Sequence, residues 1–330
     1  MSSRAIASRG LVTVVLAAAT VTAGCRAGQD ASPAPDATAG KTFVVPRTAD
    51  GRPDLNGVWD FRTITPVERP DDLAGKAVLS GEEATEFEKR TLEGRNPDRR
   101  DGSKDADVGR AYNQFWWDYG SKMNRDGRTS LIIDPPDGKI PPLTPEAQKR
   151  EAAQAALRRM PPRGPEDRSL GERCILGFNT GPPMLPSAYN NNLQIFQTRN
   201  HVALYNEMVH DARVVPLDGR PPGTIPQWTG SSRGRWDGDT LVVETTNFLR
   251  DTSFRSSSAT LHLIERFSRV ASDTLLYQFT VEDPTTWTKP WTVALPMLKS
   301  EDKIYEYACH EGNYGMTNML AGARAEESGR

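Results

Sequence analysis

Apolar and polar positions follow three different rhythms along this chain. Residues 11–21 form a continuous apolar run, about half the length that a bilayer-spanning helix needs. Residues 26–41, rich in Ala, Pro, Asp and Gly, show no periodicity and read as a flexible tether. From Pro53 to about Pro165 the chain is charged and loop-rich, with a short strand start at Pro53-Asp54-Leu55-Asn56-Gly57-Val58-Trp59-Asp60. Two helical patterns interrupt it. The first is polar and covers 80–93. The second begins at Thr144, which offers an N-cap hydroxyl ahead of Pro145 at the first helical position and Glu146 in the first turn, and should run to about Met160.

From Leu193 onward the period drops to two. Strands are expected over 193–198, 202–208, 213–216, 234–236, 239–246, 261–270, 274–281, 291–297 and 303–309. Asp237-Gly238 is a hairpin turn signal, because a type I′ turn needs positive φ at both central positions, and Ser272-Asp273 marks a second tight reversal. Consecutive antiparallel strands with short connections make a meander. The expected fold is therefore mainly β with a few α-helices, a meander closing into a lipocalin-like barrel or folding into a β-sandwich. The expected organisation is a signal segment over 1–24, a tether over 25–41, a loop-rich and helical segment over 42–165, and an antiparallel β domain over 166–330.

Alternation also assigns faces. Leu261, Leu263, Glu265 and Phe267 point one way, His262, Ile264 and Arg266 the other, so His262 and Glu265 do not share a face. On the last expected strand Tyr305, Tyr307 and Cys309 oppose Glu306, Ala308 and His310. A barrel interior that included His262 and His310 would bring two imidazoles together with Glu244 or Arg266.

Charge and cysteine usage change the picture at the amino terminus. Arg4 and Arg9 precede the apolar run, which ends in Ala23-Gly24-Cys25, the layout of a secretory signal. The segment resembles the lipobox of bacterial lipoproteins, with Thr22 where an aliphatic residue is usual. The resemblance implies export, lipidation at Cys25 and attachment to the membrane through that anchor, with ordinary cleavage nearby as the alternative. Cys174 and Cys309 then remain and can pair in one way, giving a disulfide in an oxidising compartment. A catalytic thiol or a metal ligand competes with that reading, because His310 and Glu311 follow Cys309. Formal net charge is -2, and about -4 without Arg4 and Arg9. With no basic stripe or base-stacking motif, nothing points to nucleic acid.

Candidate chemistry concentrates late in the chain, where all four histidines lie: His201, His210, His262 and His310. An imidazole beside a carboxylate is the usual apparatus for proton transfer near neutral pH. His310, in the dense run Cys309-His310-Glu311-Gly312-Asn313-Tyr314, ranks first, with His262, Glu244 and Glu311 as acid–base partners; His210-Asp211 follows. Trp236, Trp287, Trp291 and Tyr307 are candidate ligand contacts, and the aromatic run Tyr112 to Tyr119 could stack a planar ligand or pack on the core. A metal site from His210, His262 and His310 is conceivable, but no spacing selects it. No cofactor is implied, since the nucleophile elbow, Walker loop, dinucleotide fingerprint and His-Glu-x-x-His are all missing.

Residues 53–59, 129–144, His210-Asp211, 235–248 and 305–313 together resemble a functionally uncharacterised family of exported bacterial proteins and lipoproteins. The resemblance implies export and transfers no catalytic residue, cofactor or substrate. Two function classes follow: an envelope-anchored protein binding a small apolar, aromatic or glycan ligand, or a cofactor-independent hydrolase, lyase or isomerase using histidine and carboxylate groups.

Overall fold

The computed structural model describes residues 43–98, 103, 114–250, 254–255 and 257–329. The expected signal segment, the tether and Cys25 lie outside the described residues, as does the start of the aromatic run. Ten strands follow in order: β1 (Gly57–Asp60), β2 (Ile132–Asp134), β3 (Asn192–Gln197), β4 (His201–Asn206), β5 (Ala212–Pro216), β6 (Ser231–Asp237), β7 (Thr240–Thr246), β8 (His262–Ala271), β9 (Thr274–Glu282) and β10 (Trp291–Ser300). All pair antiparallel in one sheet, ordered β5-β4-β3-β1-β10-β9-β8-β7-β6, with β2 added beside β10.

β1 comes from the loop-rich segment yet lies between β3 and β10, with Trp59 opposite Leu193 on one side and Lys299 on the other. Strands before residue 165 and strands after it thus make a single sheet. Alternation places the core on one face. Burial repeats every second residue through β8 and β9, so Leu263, Glu265, Phe267, Leu275, Tyr277, Phe279 and Val281 point inward. Trp59, Trp291 and Met297 join them with no solvent exposure.

The sheet does not close into a barrel. β5 and β6 are its two edges, and no backbone ladder joins them. Side chains occupy the seam instead. Arg213 on β5 reaches Ser232 on β6 at 3.3 Å, and a Cβ at Gly234 would stand 2.6 Å from Leu217 and 2.9 Å from Val215. With those apolar groups wedged against the β6 backbone, the two edges meet through side chains where a closed barrel needs amide–carbonyl pairs.

Two further expectations need correction. Residues 303–309 form no strand, although their apolar–polar alternation suits one, because β10 is already flanked by β9 on one side and by β1 and β2 on the other. The two-faced arrangement expected around Tyr305, Tyr307 and Cys309 therefore does not exist. The β6–β7 turn falls on Gly238-Asp239, since Asp237 pairs with Thr240. Gly238, at φ +56°, is the one central residue with positive φ, which fits a type II′ turn with glycine first. The Ser272-Asp273 reversal is as expected, with Ala271 pairing Thr274 across it.

Among the described residues three helices pack outside the sheet: α1 (Gly81–Arg95), α2 (Pro145–Arg158) and α3 (Tyr314–Ser328). α1 starts with a capping box in which Ser80 accepts from Glu83 N and Glu83 returns a bond to Ser80 N at 2.9 Å. It buries Phe87 against Ile64, Leu79 and Met123. Replacing Ser80 with Ala should cost about 1 kcal/mol, measurable as a lower urea midpoint at unchanged slope. Thr144 caps α2 as expected, accepting from Ala147 N at 3.1 Å. α3 has no counterpart in the sequence reading. Among the described residues no helix is long and apolar enough to cross a membrane.

Candidate functional site

Among the described residues, three of the places where titratable side chains meet hold a buried charge or an expected site residue. The first is inside the sheet, where Arg213, Glu265 and Tyr277 are buried among Leu and Phe side chains. Arg213 grips Glu265 with both terminal nitrogens, one of them at 2.8 Å, and the Tyr277 hydroxyl donates to the same carboxylate at 2.8 Å. Met184 N donates to the Tyr277 oxygen at 3.2 Å, and the hydroxyls of Ser232 and Thr245 pair at 2.9 Å beside Arg213. Burial and the neighbouring carboxylate hold the Tyr277 hydroxyl well above the ordinary phenol range. Burial alone would pull Arg213 down, but Glu265 more than offsets it and the guanidinium stays charged. Every charge here is answered by another group of the cluster, and the arrangement is a closed hydrogen-bond network.

Next to it, the turn after β4 carries two successive non-glycine residues at positive φ, Val209 at +57° and His210 at +43°. The His210 ring stands 3.3 Å from Tyr307 O. Burial raises the Asp211 carboxyl, partly countered by Arg213 and His210. Glu207, buried at the same turn, accepts from Asn192 at 2.7 Å and from Tyr305 N at 3.1 Å, fastening the irregular C-terminal stretch across this end of the sheet.

The second place is the outer face of the sheet. His262 Nδ1 lies 2.9 Å from Glu282, and its Nε2 lies 3.7 Å from Glu244. Glu244 in turn pairs with Arg235 at 3.0 Å. The structure thus joins His262 with Glu244, but on the face opposite the core and apart from His310, so the shared interior cavity expected for the two imidazoles does not form.

The third is a cleft of about 350 Å³ between residues 165–175 and the start of α3, lined by Pro165, Glu172, Arg173, Ile175, His310, Asn313 and Met316. The Cys174–Cys309 disulfide, with Cα atoms 5.7 Å apart, ties its two walls together. Asn313 precedes α3, yet its amide serves the opposite wall, donating to Glu172 O and Cys174 Sγ, both at 3.4 Å. Burial pushes Glu172 up, but bonds from Arg168 and from the backbone and hydroxyl of Ser169 outweigh it and keep the carboxyl below its ordinary range. Among the described residues neither the Arg173 guanidinium nor the His310 ring has a hydrogen-bond or ion-pair partner.

The residues expected to carry chemistry are therefore dispersed. His310 lines the cleft with Glu311 exposed beside it, whereas His262 and Glu244 sit on the outer sheet face. Trp287 and Trp291 pack on each other at 5.6 Å, among Phe254 and Phe279 in the core. Trp236 leans on that core from β6, and Tyr307 stacks on Tyr189 at 6.3 Å. Arg173 and Met316 were not singled out by the sequence, and Asn313 only as a member of the dense run after Cys309. Their one signal was proximity in sequence to Cys174 or to Cys309-His310. Among the described residues no three His, Cys, Asp or Glu side chains gather as a set of metal ligands. No protein-family model, curated protein or solved structure matches the chain.

Proposed function

We propose that this chain is an exported binding protein, anchored through Cys25, that holds a small anionic ligand in the cleft between residues 165–175 and α3. The observation that carries the reading is the pair Arg173 and His310, polar side chains that have no partner among the described residues and line one open space whose walls a disulfide joins. Several other charged groups of the fold answer one another: Arg213 with Glu265, Arg235 with Glu244, Arg168 with Glu172. A guanidinium left unmatched is a ready acceptor of a carboxylate or other oxyanion. The sequence features at Arg4, Arg9 and Cys25 support export and anchoring.

A second reading, a cofactor-independent acid–base enzyme, draws on the 2.9 Å contact of His262 with Glu282. It fits less well. Carboxylates stand at both ring nitrogens, so neither is presented alone to a substrate.

Thermal unfolding of the full chain in acetate, benzoate and phosphate tests the binding reading. An anion that binds the folded chain should raise the midpoint, by an amount equivalent to about 2.7 kcal/mol at a hundred times its Kd. Arg173→Ala should remove that rise. If no anion moves the midpoint, or the variant responds as the parent does, the cleft is not the binding site.

A further inference from the structure

Resting on that reading, we infer that the ligand of the cleft is a monocarboxylate with a short apolar body, its carboxylate held by Arg173 and His310 and its hydrocarbon part laid against Ile175 and Met316. The charges on the walls limit the ligand to one negative charge. Arg173 contributes one unmatched positive charge, while Glu172, adjacent in sequence and part of the same lining, is held as a carboxylate by Arg168 and Ser169. A second negative charge on the ligand would meet Glu172 with no further cation to answer it.

The remaining lining supplies a smaller apolar part. Ile175, Met316 and Pro165 are the apolar members of the lining, and Met can adjust its rotamer to differing ligand shapes. At about 350 Å³ the cleft is near the lower end of ligand pockets, which span roughly 300–1,000 Å³, a size that suits a compact ligand. Asn313, fixed by its bonds to Glu172 O and Cys174 Sγ, keeps the α3 side of the cleft at a set distance from the other wall.

Isothermal titration of the full chain with acetate, butanoate, hexanoate, hexanamide and inorganic phosphate decides the matter. The expected result is affinity rising about fourfold per methylene buried, little binding of hexanamide, and phosphate weaker than hexanoate. Arg173→Lys should weaken hexanoate about tenfold or more, because a point charge replaces the fork. Met316→Gln should flatten the dependence on chain length, because a polar amide replaces the apolar surface that each added methylene would cover. Phosphate binding as tightly as hexanoate, or affinity indifferent to chain length, overturns the monocarboxylate assignment while leaving an anion site in place. Absence of binding by every anion overturns the assignment and the binding reading together.

Discussion

Reducing the Cys174–Cys309 disulfide is expected to lower the unfolding free energy by about 5 kcal/mol, the largest single effect anticipated for this chain. The figure follows from the loop the bond closes, 135 residues in sequence separation, through the entropy that cross-linking removes from the unfolded chain. The native side of the balance points the same way. Residues 301–313 join no strand, and their links to the body are a few bonds such as Tyr305 N to Glu207, the His210 contact with Tyr307 O, and the Asn313 amide. Urea unfolding with and without a dithiol reductant measures the difference, and Cys174→Ser with Cys309→Ser controls for the reductant. A loss under about 1 kcal/mol would show that the C-terminal stretch is held without the covalent link. Reduction should also abolish anion binding, since the two walls of the cleft are joined at that bond.

The second large effect is expected inside the sheet. Glu265→Gln should destabilise the chain by about 3–5 kcal/mol, because it leaves Arg213 charged and without its counter-ion in the core. Arg213→Met should do the same by stranding Glu265. Replacing both at once, Arg213→Met with Glu265→Leu, should restore most of the loss, since well-packed apolar groups of similar size are often as stable as a buried ion pair. The double-mutant cycle in urea then reports the coupling between the two residues. Single variants within about 1 kcal/mol of the parent would mean that water reaches Arg213 and screens it. Tyr277→Phe removes one donor to Glu265 and should cost less, about 1–3 kcal/mol.

How far the sequence foretold these features depends on the distance over which each is determined. Glu265 was legible from local pattern alone, because it keeps step with Leu263 and Phe267 on a strand whose period is two. Its partner was not, for nothing near Arg213 says which strand of the sheet lies opposite. The helix starts at Ser80 and Thr144 were equally local, each fixed by a cap and its first turn. Residues 303–309 show the limit of such reasoning: their pattern suits a strand, but a strand also needs an open edge, and β10 has none. Closure of the sheet was likewise misjudged because it turns on Val215, Leu217 and Gly234 meeting at the seam, a contact between residues on separate strands. The cleft lay further out of reach. It joins Arg173 to His310, segments brought together by the disulfide, and α3 carries no strong apolar periodicity to announce itself.

The position of β1 bears on how the chain comes into being at the ribosome. A chain is synthesised from its amino terminus, so residues 57–60 are made early, while the strands that flank them in the finished sheet, β3 and β10, come much later. β3 to β5 and β6 to β10 can each form as neighbours in sequence, but β1 is the strip that joins the two groups. The sheet therefore cannot grow steadily as the chain emerges. β1 can meet β3 once residue 197 has been made, but its other side stays open until β10 is complete at residue 300, so the join between the two groups closes last.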